Sequence, residues 1–367
     1  MRVGVVVEQV LAPVPGGTGR YARELAAALA STAPAGRQVE GWTAWHRNPG
    51  AARVDGVTGP RRLPLPRRAL IAAWERQAGP APRADLVHAP TLLAPPRRRT
   101  PLVVTIHDAV PWTHPETLTP RGVGWHRRTA ELAARHADRV VVPTHAVAEE
   151  LAAVLPALRR DRVSVVGHGV AAALAAPPPD ADERARRLRL PDAYVLSLAT
   201  LEPRKGLDVL LAALAEPAAP DLPLLLVGQP GWGGVDPLAE AGRLGLADGR
   251  VRPLGRLDDA DLAAVLHRAT ALAAPSRAEG FGLPVLEAMA AGVPAVTSDA
   301  PALVEVGGGA TVVVRRDDPA ALAAALAQVT DPDFRKRLAA AGRVRAGHYS
   351  WEAAARELWN LYSDLAT

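Results

Sequence analysis

The stretch Pro275-Ser276-Arg277-Ala278-Glu279-Gly280-Phe281-Gly282-Leu283-Pro284-Val285-Leu286-Glu287-Ala288-Met289 follows a short apolar run, Ala271 to Ala274. A run of that length bounded by turn residues reads as a buried parallel strand. Gly280 and Gly282 let the backbone turn sharply after it. Pro284 fits a first helical position, where its missing N–H would have been unpaired in any case. A helix that starts there points its open N–H groups at whatever sits over the turn and favours an anion. Two carboxylates, Glu279 and Glu287, flank the same place. Acids and an anion share a site when the acids hold neutral hydroxyls, and a phosphorylated sugar supplies both kinds of group.

Working outward, the same strand–turn–helix unit recurs along the chain. In the first half, strands are expected at Val3–Val7, Val39–Thr43, Leu86–His88, Leu102–Ile106, Val140–Val142 and Val163–Val166, with helices at Gly19–Thr32, Arg121–Arg135 and His145–Leu155. The run Ala171 to Asp180 contains Pro177-Pro178-Pro179, which is stiff and cannot continue a ladder, so it reads as a linker. The alternation then restarts at Val195–Leu198 and continues to a helix at Pro319–Val329. In the tail, Trp351, Ala355, Leu358, Trp359 and Tyr362 fall at helical spacing. The pattern predicts an α/β protein of two Rossmann-like domains, residues 1–178 and 179–350, with 351–367 packing back on the first. Ligands of such sheets bind beyond the carboxyl ends of the strands, here in a cleft between the domains.

Composition narrows the setting. The 367 residues include no Cys and are 49% hydrophobic, enough for two cores, and disulfides are excluded. No segment approaches the roughly 18 apolar residues of a membrane span. The chain opens on the strand-like Arg2–Val7, so no cleaved leader is expected and a cytoplasmic location is. Net charge is +5, and 41 of the 43 basic residues are Arg, Lys occurring only at 205 and 336. Arg61-Arg62, Arg67-Arg68, Arg97-Arg98-Arg99 and Arg127-Arg128 lie in the first half with Trp42, Trp45 and Trp74. Biased composition explains such clusters. Their alternative use is peripheral contact with an anionic membrane surface on its inner face; no nucleic-acid fold signature accompanies them.

Four loops after strands carry candidate chemistry. Pro13 to Ala22 is glycine-rich, and its N–H groups can cradle a phosphate. Gly17, Gly19 and Ala22 also satisfy the dinucleotide pattern G-x-G-x-x-A, with Glu40 placed for a ribose, which is the rival reading as a nicotinamide-dependent oxidoreductase. Against it, nine residues separate Val7 from Gly17, where that fingerprint needs a tight turn. His107 and Asp108 follow Leu102–Ile106; the His can donate to a sugar hydroxyl or phosphate oxygen, and Asp108 can orient it or take a proton. The five other histidines considered, at 114, 126, 136, 145 and 168, show no metal-ligand spacing. After Val195–Leu198 comes Thr200-Leu201-Glu202-Pro203-Arg204-Lys205-Gly206. Lys205, in a chain that otherwise chooses Arg, suggests a compact ammonium, and Arg204 can fork onto two phosphate oxygens. Together they would neutralise a diphosphate without a metal. The opening stretch is the fourth loop.

These residues resemble the retaining glycosyltransferases of the large group 1, family 4 type, which use nucleotide sugars and have the GT-B fold. The match lies in two Glu with seven residues between, within Glu279 to Pro294, and extends through Pro203-Arg204-Lys205-Gly206, His107-Asp108 and Tyr349-Ser350-Trp351. The resemblance implies that Glu287 holds the nucleotide ribose and Glu279 the hydroxyls of the transferred sugar. It implies that Arg204 and Lys205 bind the diphosphate with backbone N–H groups near Gly280, Phe281, Gly282 and Leu283. His107 would contact the sugar or β-phosphate, Asp108 would face the acceptor, Gly16 and Gly17 would close over the donor, and Arg256 and Leu257 would lie near the base. Thr200 stands where many members carry Arg, which is similar to the mannosyltransferases of surface polysaccharides and suggests GDP-mannose. The implied reaction moves a hexose to a glycan or lipid-linked acceptor with no cofactor and no metal. A non-catalytic nucleotide-sugar binding protein is the other alternative.

Overall fold

A computed structural model describes residues 1–366; Thr367, the end of the expected returning tail, lies outside the described residues. The chain divides into two compact units. Met1–Pro115, Thr119–Gly169 and the segment from Ser350 onward form the first; Glu116–Leu118 and Val170–Tyr349 form the second.

The first unit contains, in order, β1 (Arg2–Val6), α1 (Gly16–Ser31), β2 (Gln38–Trp45), β3 (Thr58–Pro66), α2 (Arg67–Glu75), β4 (Leu86–Ala89), β5 (Leu102–Thr105), α3 (Val110–Thr113), α4 (Pro120–His136), β6 (Arg139–Val142), α5 (His145–Val154) and β7 (Val163–Val165). Its sheet runs β3-β2-β1-β4-β5-β6-β7 with every pairing parallel. Strands β4 and β5 are buried along their whole length and are apolar except for His88 and Thr105.

The second unit contains α6 (Ala181–Leu188), β8 (Val195–Leu198), α7 (Leu207–Ala215), β9 (Leu224–Val227), α8 (Pro237–Arg243), β10 (Val251–Gly255), α9 (Asp259–Arg268), β11 (Ala271–Ala274), α10 (Leu283–Ala291), β12 (Ala295–Ser298), α11 (Pro301–Gly307), β13 (Val312–Val314), α12 (Pro319–Gln328) and α13 (Pro332–Ala346). Its parallel sheet runs β10-β9-β8-β11-β12-β13. The order reverses between β8 and β11, so the loops leaving those two strands open side by side. This is the switch point at which sheets of this kind take ligands.

Helix α14 (Trp351–Ala366) belongs to the first unit. Its buried face is Trp351, Ala354, Ala355, Leu358, Trp359, Leu361 and Tyr362. Each large apolar side chain buried this way stabilises the unit by roughly 1.5–3 kcal/mol. Two polar contacts fix the register: Trp359 Nε1 donates to the Leu29 carbonyl at 3.0 Å, and the Tyr362 hydroxyl lies 2.5 Å from His88 Nδ1. His88 in turn meets Thr105 Oγ1 at 2.9 Å, and Thr105 meets the Tyr21 hydroxyl at 3.2 Å. Burial, with a smaller contribution from His107, pushes His88 down to about 3, so the imidazole is neutral.

Three expectations change. The unit boundary falls at Gly169/Val170, not after residue 178, because the run beyond it is anchored: Ala172–Leu174 forms a 3-10 turn and Leu174 is fully buried in the second unit's core. Strand β3 and helices α2, α3, α6, α11 and α13 have no counterpart in the sequence reading. Strand β3 is a largely exposed edge carrying Pro60, Pro64 and Pro66, which only an edge tolerates, and α13 buries little besides Gly342 and Ala346. Finally, Trp42 and Trp74 are core residues, and only Trp45 of that trio is exposed.

Replacing Tyr362 by Phe removes the partner of a buried imidazole nitrogen while keeping the ring. The expected cost is about 1–3 kcal/mol in urea unfolding. An unchanged midpoint and slope would show that the hydroxyl contact contributes nothing.

Candidate functional site

Both loops at the switch point of the second unit are short and shaped by glycine. After β8, Pro203–Lys205 makes a single 3-10 turn and Gly206 takes a left-handed φ of +65° before α7 begins. A Cβ on Gly206 would sit 2.2 Å from the Pro275 carbonyl oxygen, so only glycine lets the two loops approach this closely. After β11, Gly282 (φ +93°) caps α10 with Pro284 in its first turn, as the sequence pattern implies.

The loops are sewn together by polar contacts. Arg277 N donates to the Arg204 carbonyl at 2.8 Å, and an Arg277 guanidinium N–H donates to the Pro203 carbonyl at 2.8 Å. Arg204 donates to the Ala278 carbonyl at 3.1 Å. Glu279 is the centre of the arrangement. Its Oε1 accepts from Lys205 Nζ at 2.6 Å and from Ser276 Oγ at 2.7 Å, and its Oε2 accepts from Arg204 at 3.1 Å. Arg204 also pairs with Glu202 at 2.9 Å. Burial by itself would raise the Glu279 carboxyl, but Lys205 first and Arg204 next hold it down at about 2.

Glu279, expected to grip a hydroxyl, and Arg204 and Lys205, expected to bind a diphosphate, are thus in direct contact with one another. Two cations and two carboxylates form one balanced cluster. Their net charge cancels locally, so what the cluster offers a ligand is the directed ammonium N–H donors of Lys205, held by Glu279 beside the α10 N-terminus. Ser276 and Glu202 belong to the cluster although neither was singled out. The i, i+3 spacing of Ser276 and Glu279 was the available signal.

The other expected residues of the second unit lie around this core. Glu287 is in the second turn of α10 and only 4% exposed. Gly280, Phe281 and Gly282 are buried, and Phe281 meets Tyr349 edge-on at 5.5 Å. Leu283 opens α10. Thr200 packs beside Gly231, on the loop after β9. Arg256 is exposed just after β10, and the neighbouring Leu257 packs against the core.

In the first unit, Gly16 and Gly17 are the first residues of α1, which starts three residues earlier than the expected Gly19. Gly17, Gly19 and Ala22 therefore lie inside a helix and not in a strand-to-helix turn. Glu40 is buried at 2% in β2 and paired with Arg61 at 3.1 Å. Neither arrangement fits the dinucleotide fingerprint. The arginine clusters are largely tied to the fold: Arg62 donates to the His46 carbonyl, Arg67 to Glu8, Arg97 to Asp138 and Arg127 to the Pro111 carbonyl. Glu8, fully buried after β1, also accepts from Ala44 N and meets His46 Nε2; nothing in the sequence distinguished it.

His107 follows β5. Its Nε2 lies 2.8 Å from the Pro90 carbonyl, which can only accept, so Nε2 carries the proton. Burial pushes this imidazole below its ordinary range against the opposing pull of the Pro90 carbonyl and Asp108. Neutral and protonated at Nε2, His107 presents Nδ1 as an acceptor, which suits a hydroxyl and not a phosphate oxygen. Asp108 caps the next turn by accepting from Val110 N at 3.1 Å. Among the described residues, no three His, Asp or Glu side chains cluster in a way that could hold a metal ion, and no helix is long and apolar enough to cross a membrane.

Comparison with known proteins finds two family models that match the chain. A model described as "Glycosyl transferases group 1" matches residues 192–331, and one described as "Glycosyltransferase Family 4" matches residues 15–174. The chain carries a group 1 glycosyl transferase domain and a family 4 glycosyltransferase domain. It is 38% identical over 173 residues to the Escherichia coli O-antigen chain mannosyltransferase B, covering 46% of this chain and 45% of that one. It is 39% identical over 173 residues to the phosphatidyl-myo-inositol mannosyltransferase of Mycobacterium leprae, covering 45% of each. The chain thus spans about half the length of these curated relatives. The solved sucrose-phosphate synthase of Thermosynechococcus elongatus superposes over 100% of this chain and 99% of its own with a TM-score of 0.76 at 24% identity. That likeness shows the fold, the two parallel-sheet α/β domains of the GT-B class.

The Glu279 carboxyl is charged in the fold down to about pH 2 and protonates near 4.5 when unfolded. Its stabilising contribution, on the order of 3 kcal/mol, is present above pH 4.5 and lost as pH falls towards 2. Urea unfolding of wild type and Glu279→Gln should therefore differ at pH 6 and converge by about pH 2. A gap that stays constant with pH would refute the ion pairing. Gly206→Ala should cost at least about 2 kcal/mol, since it meets both backbone strain and the Pro275 carbonyl; a wild-type melting temperature would contradict the close approach of the two loops.

Proposed function

We propose that this protein transfers a hexose from a nucleoside diphosphate sugar to a hydroxyl of a glycan or glycolipid acceptor, with retention at the anomeric carbon and without a metal. The observation that carries the reading is the Lys205–Glu279–Arg204 cluster at the β8/β11 switch point, beside the N-terminus of α10. Donor N–H groups and a helix N-terminus at one point form a diphosphate site. Charge on the diphosphate grows as its bond to the sugar breaks, so groups fixed in advance stabilise the transition state more than the ground state. The acceptor oxygen attacks the anomeric carbon on the face the diphosphate leaves, and the acceptor proton passes to the departing phosphate oxygen. His107 accepts a hydrogen bond from a sugar hydroxyl through Nδ1, and Glu287 takes the ribose hydroxyls.

Mannose, carried by GDP, is the proposed sugar. The names of the relatives and the Thr200-Leu201-Glu202-Pro203-Arg204-Lys205 loop support it. A lipid-linked acceptor would bring the first unit to a membrane surface. Exposed Trp45 and the exposed Arg68, Arg98 and Arg99 support that contact.

A thermal-shift panel of GDP-, UDP-, ADP- and dTDP-sugars is the direct test, because a ligand bound only by the folded protein raises its melting temperature. The largest shift is expected with GDP-mannose; a flat response to every donor would end the reading. Lys205→Ala should lower turnover roughly 10²-fold, and near wild-type transfer by that variant would remove Lys205 from the mechanism.

A further inference from the structure

The chain leaves the first unit after Gly169 and re-enters it at Ser350. At that point the outgoing and returning segments touch. A Cβ on Gly169 would stand 2.2 Å from Trp351 N and 2.7 Å from the Ser350 carbonyl carbon, so glycine alone permits the approach. The residue on each side of this contact is aromatic, and the two rings, His168 and Trp351, stack with centroids 5.6 Å apart and planes 14° from parallel. The face-to-face pair does not end there. Tyr21 of α1 packs against both, 4.6 Å from His168 and 5.8 Å from Trp351, and turns its ring edge-on to His107 at 4.6 Å and 85°. His107 is also 6.1 Å from His168. All four residues belong to the first unit, and Tyr21, His168 and Trp351 are buried at 2%, 4% and 5%.

The His107 imidazole has one polar tether, the Pro90 carbonyl on Nε2, and a single hydrogen bond leaves a ring free to rotate about it. What fixes the plane, and so the direction of Nδ1, is the Tyr21 ring. Tyr21 is itself held at both ends: its hydroxyl meets Thr105, whose other contact is His88, and its ring lies on the His168–Trp351 stack. We propose that Tyr21, backed by His168 and Trp351, is the positioning residue for His107, and that the crossover of the chain is thereby built into the placement of the sugar-facing imidazole. The proposal rests on the role given to His107 under Proposed function. Tyr21 touches no substrate; it acts through the orientation of another ring, so its loss is felt mainly in turnover, since the diphosphate and ribose groups proposed to dominate donor binding lie in the second unit.

The test compares Tyr21→Leu, Tyr21→Phe and Trp351→Leu by steady-state transfer from GDP-mannose and by the imidazole signals of His107 in protein labelled with nitrogen-15 histidine. Tyr21→Leu should lower kcat by roughly 10²-fold, the scale of a misplaced reacting group, with the donor KM within about twofold. Tyr21→Phe, which keeps the ring and loses only the hydroxyl, should recover most of the turnover. Trp351→Leu, two rings removed, should fall between them. The His107 signal should move in both Leu variants and stay in place in Tyr21→Phe. Equal kcat in Tyr21→Leu and wild type, a matched rise in donor KM, or a Phe variant as impaired as the Leu variant would overturn the proposal. Should Tyr21→Leu not fold, Trp351→Leu against Tyr21→Phe decides by the same criteria. If wild type itself transfers no sugar, the function reading fails, and the His107 signal alone decides the positioning: unmoved in the Leu variants, it is refuted.

Discussion

One carboxylate arranges the switch-point loops of the second unit. Glu279 takes hydrogen bonds from a lysine, an arginine and a serine, and in doing so ties the loop after β8 to the loop after β11. Strand order alone makes the two loops neighbours, but neighbours separated by a sheet twist need something to hold their side chains in register. A buried charge is expensive unless fully paired. That expense makes the arrangement specific: if either cation moves away, Glu279 loses one of its two compensating charges. The loops are thus set before any ligand arrives, which is the condition under which fixed dipoles accelerate a reaction without reorganising.

The balance of charge inside the cluster matters as much as its rigidity. With Glu202 on Arg204, the two cations face two anions. A site with a large net positive charge would take any polyanion. One that is neutral overall but rich in oriented donors distinguishes a ligand by where its oxygens fall, and the nearby helix N-terminus adds direction without adding a mobile charge.

Much of this was legible beforehand because parallel strands and their glycine turns leave strong marks. The apolar run Ala271–Ala274, the glycines before Pro284 and the lone lysine beside Arg204 are local signals, and the structure keeps each in its expected element. What escaped was set by partners remote in sequence. Strand β3 hides behind prolines that only an edge position tolerates. Trp42 and Trp74 stood among arginines and read as surface residues, although packing puts them inside. Glu279 and Lys205 were recognised one at a time, but their pairing spans 74 positions and no spacing rule reports it. The proline run at 177–179 looked like a boundary, and a buried Leu174 moved it.

Helix α14 supplies a buried face of the first unit from the far end of the chain. During synthesis, the strands of that unit emerge before the second unit, yet the groove between α1 and the sheet stays open until the whole second unit has been made. His88 waits for the Tyr362 hydroxyl, and Leu29 for the Trp359 indole, across more than two hundred residues of intervening chain. The usual vectorial order, in which an amino-terminal domain completes itself before the next begins, is inverted here: the domain started first is the one closed last. A nascent chain stalled anywhere in the second unit therefore carries an unfinished apolar surface, and it is at that stage that it depends most on being shielded from other chains.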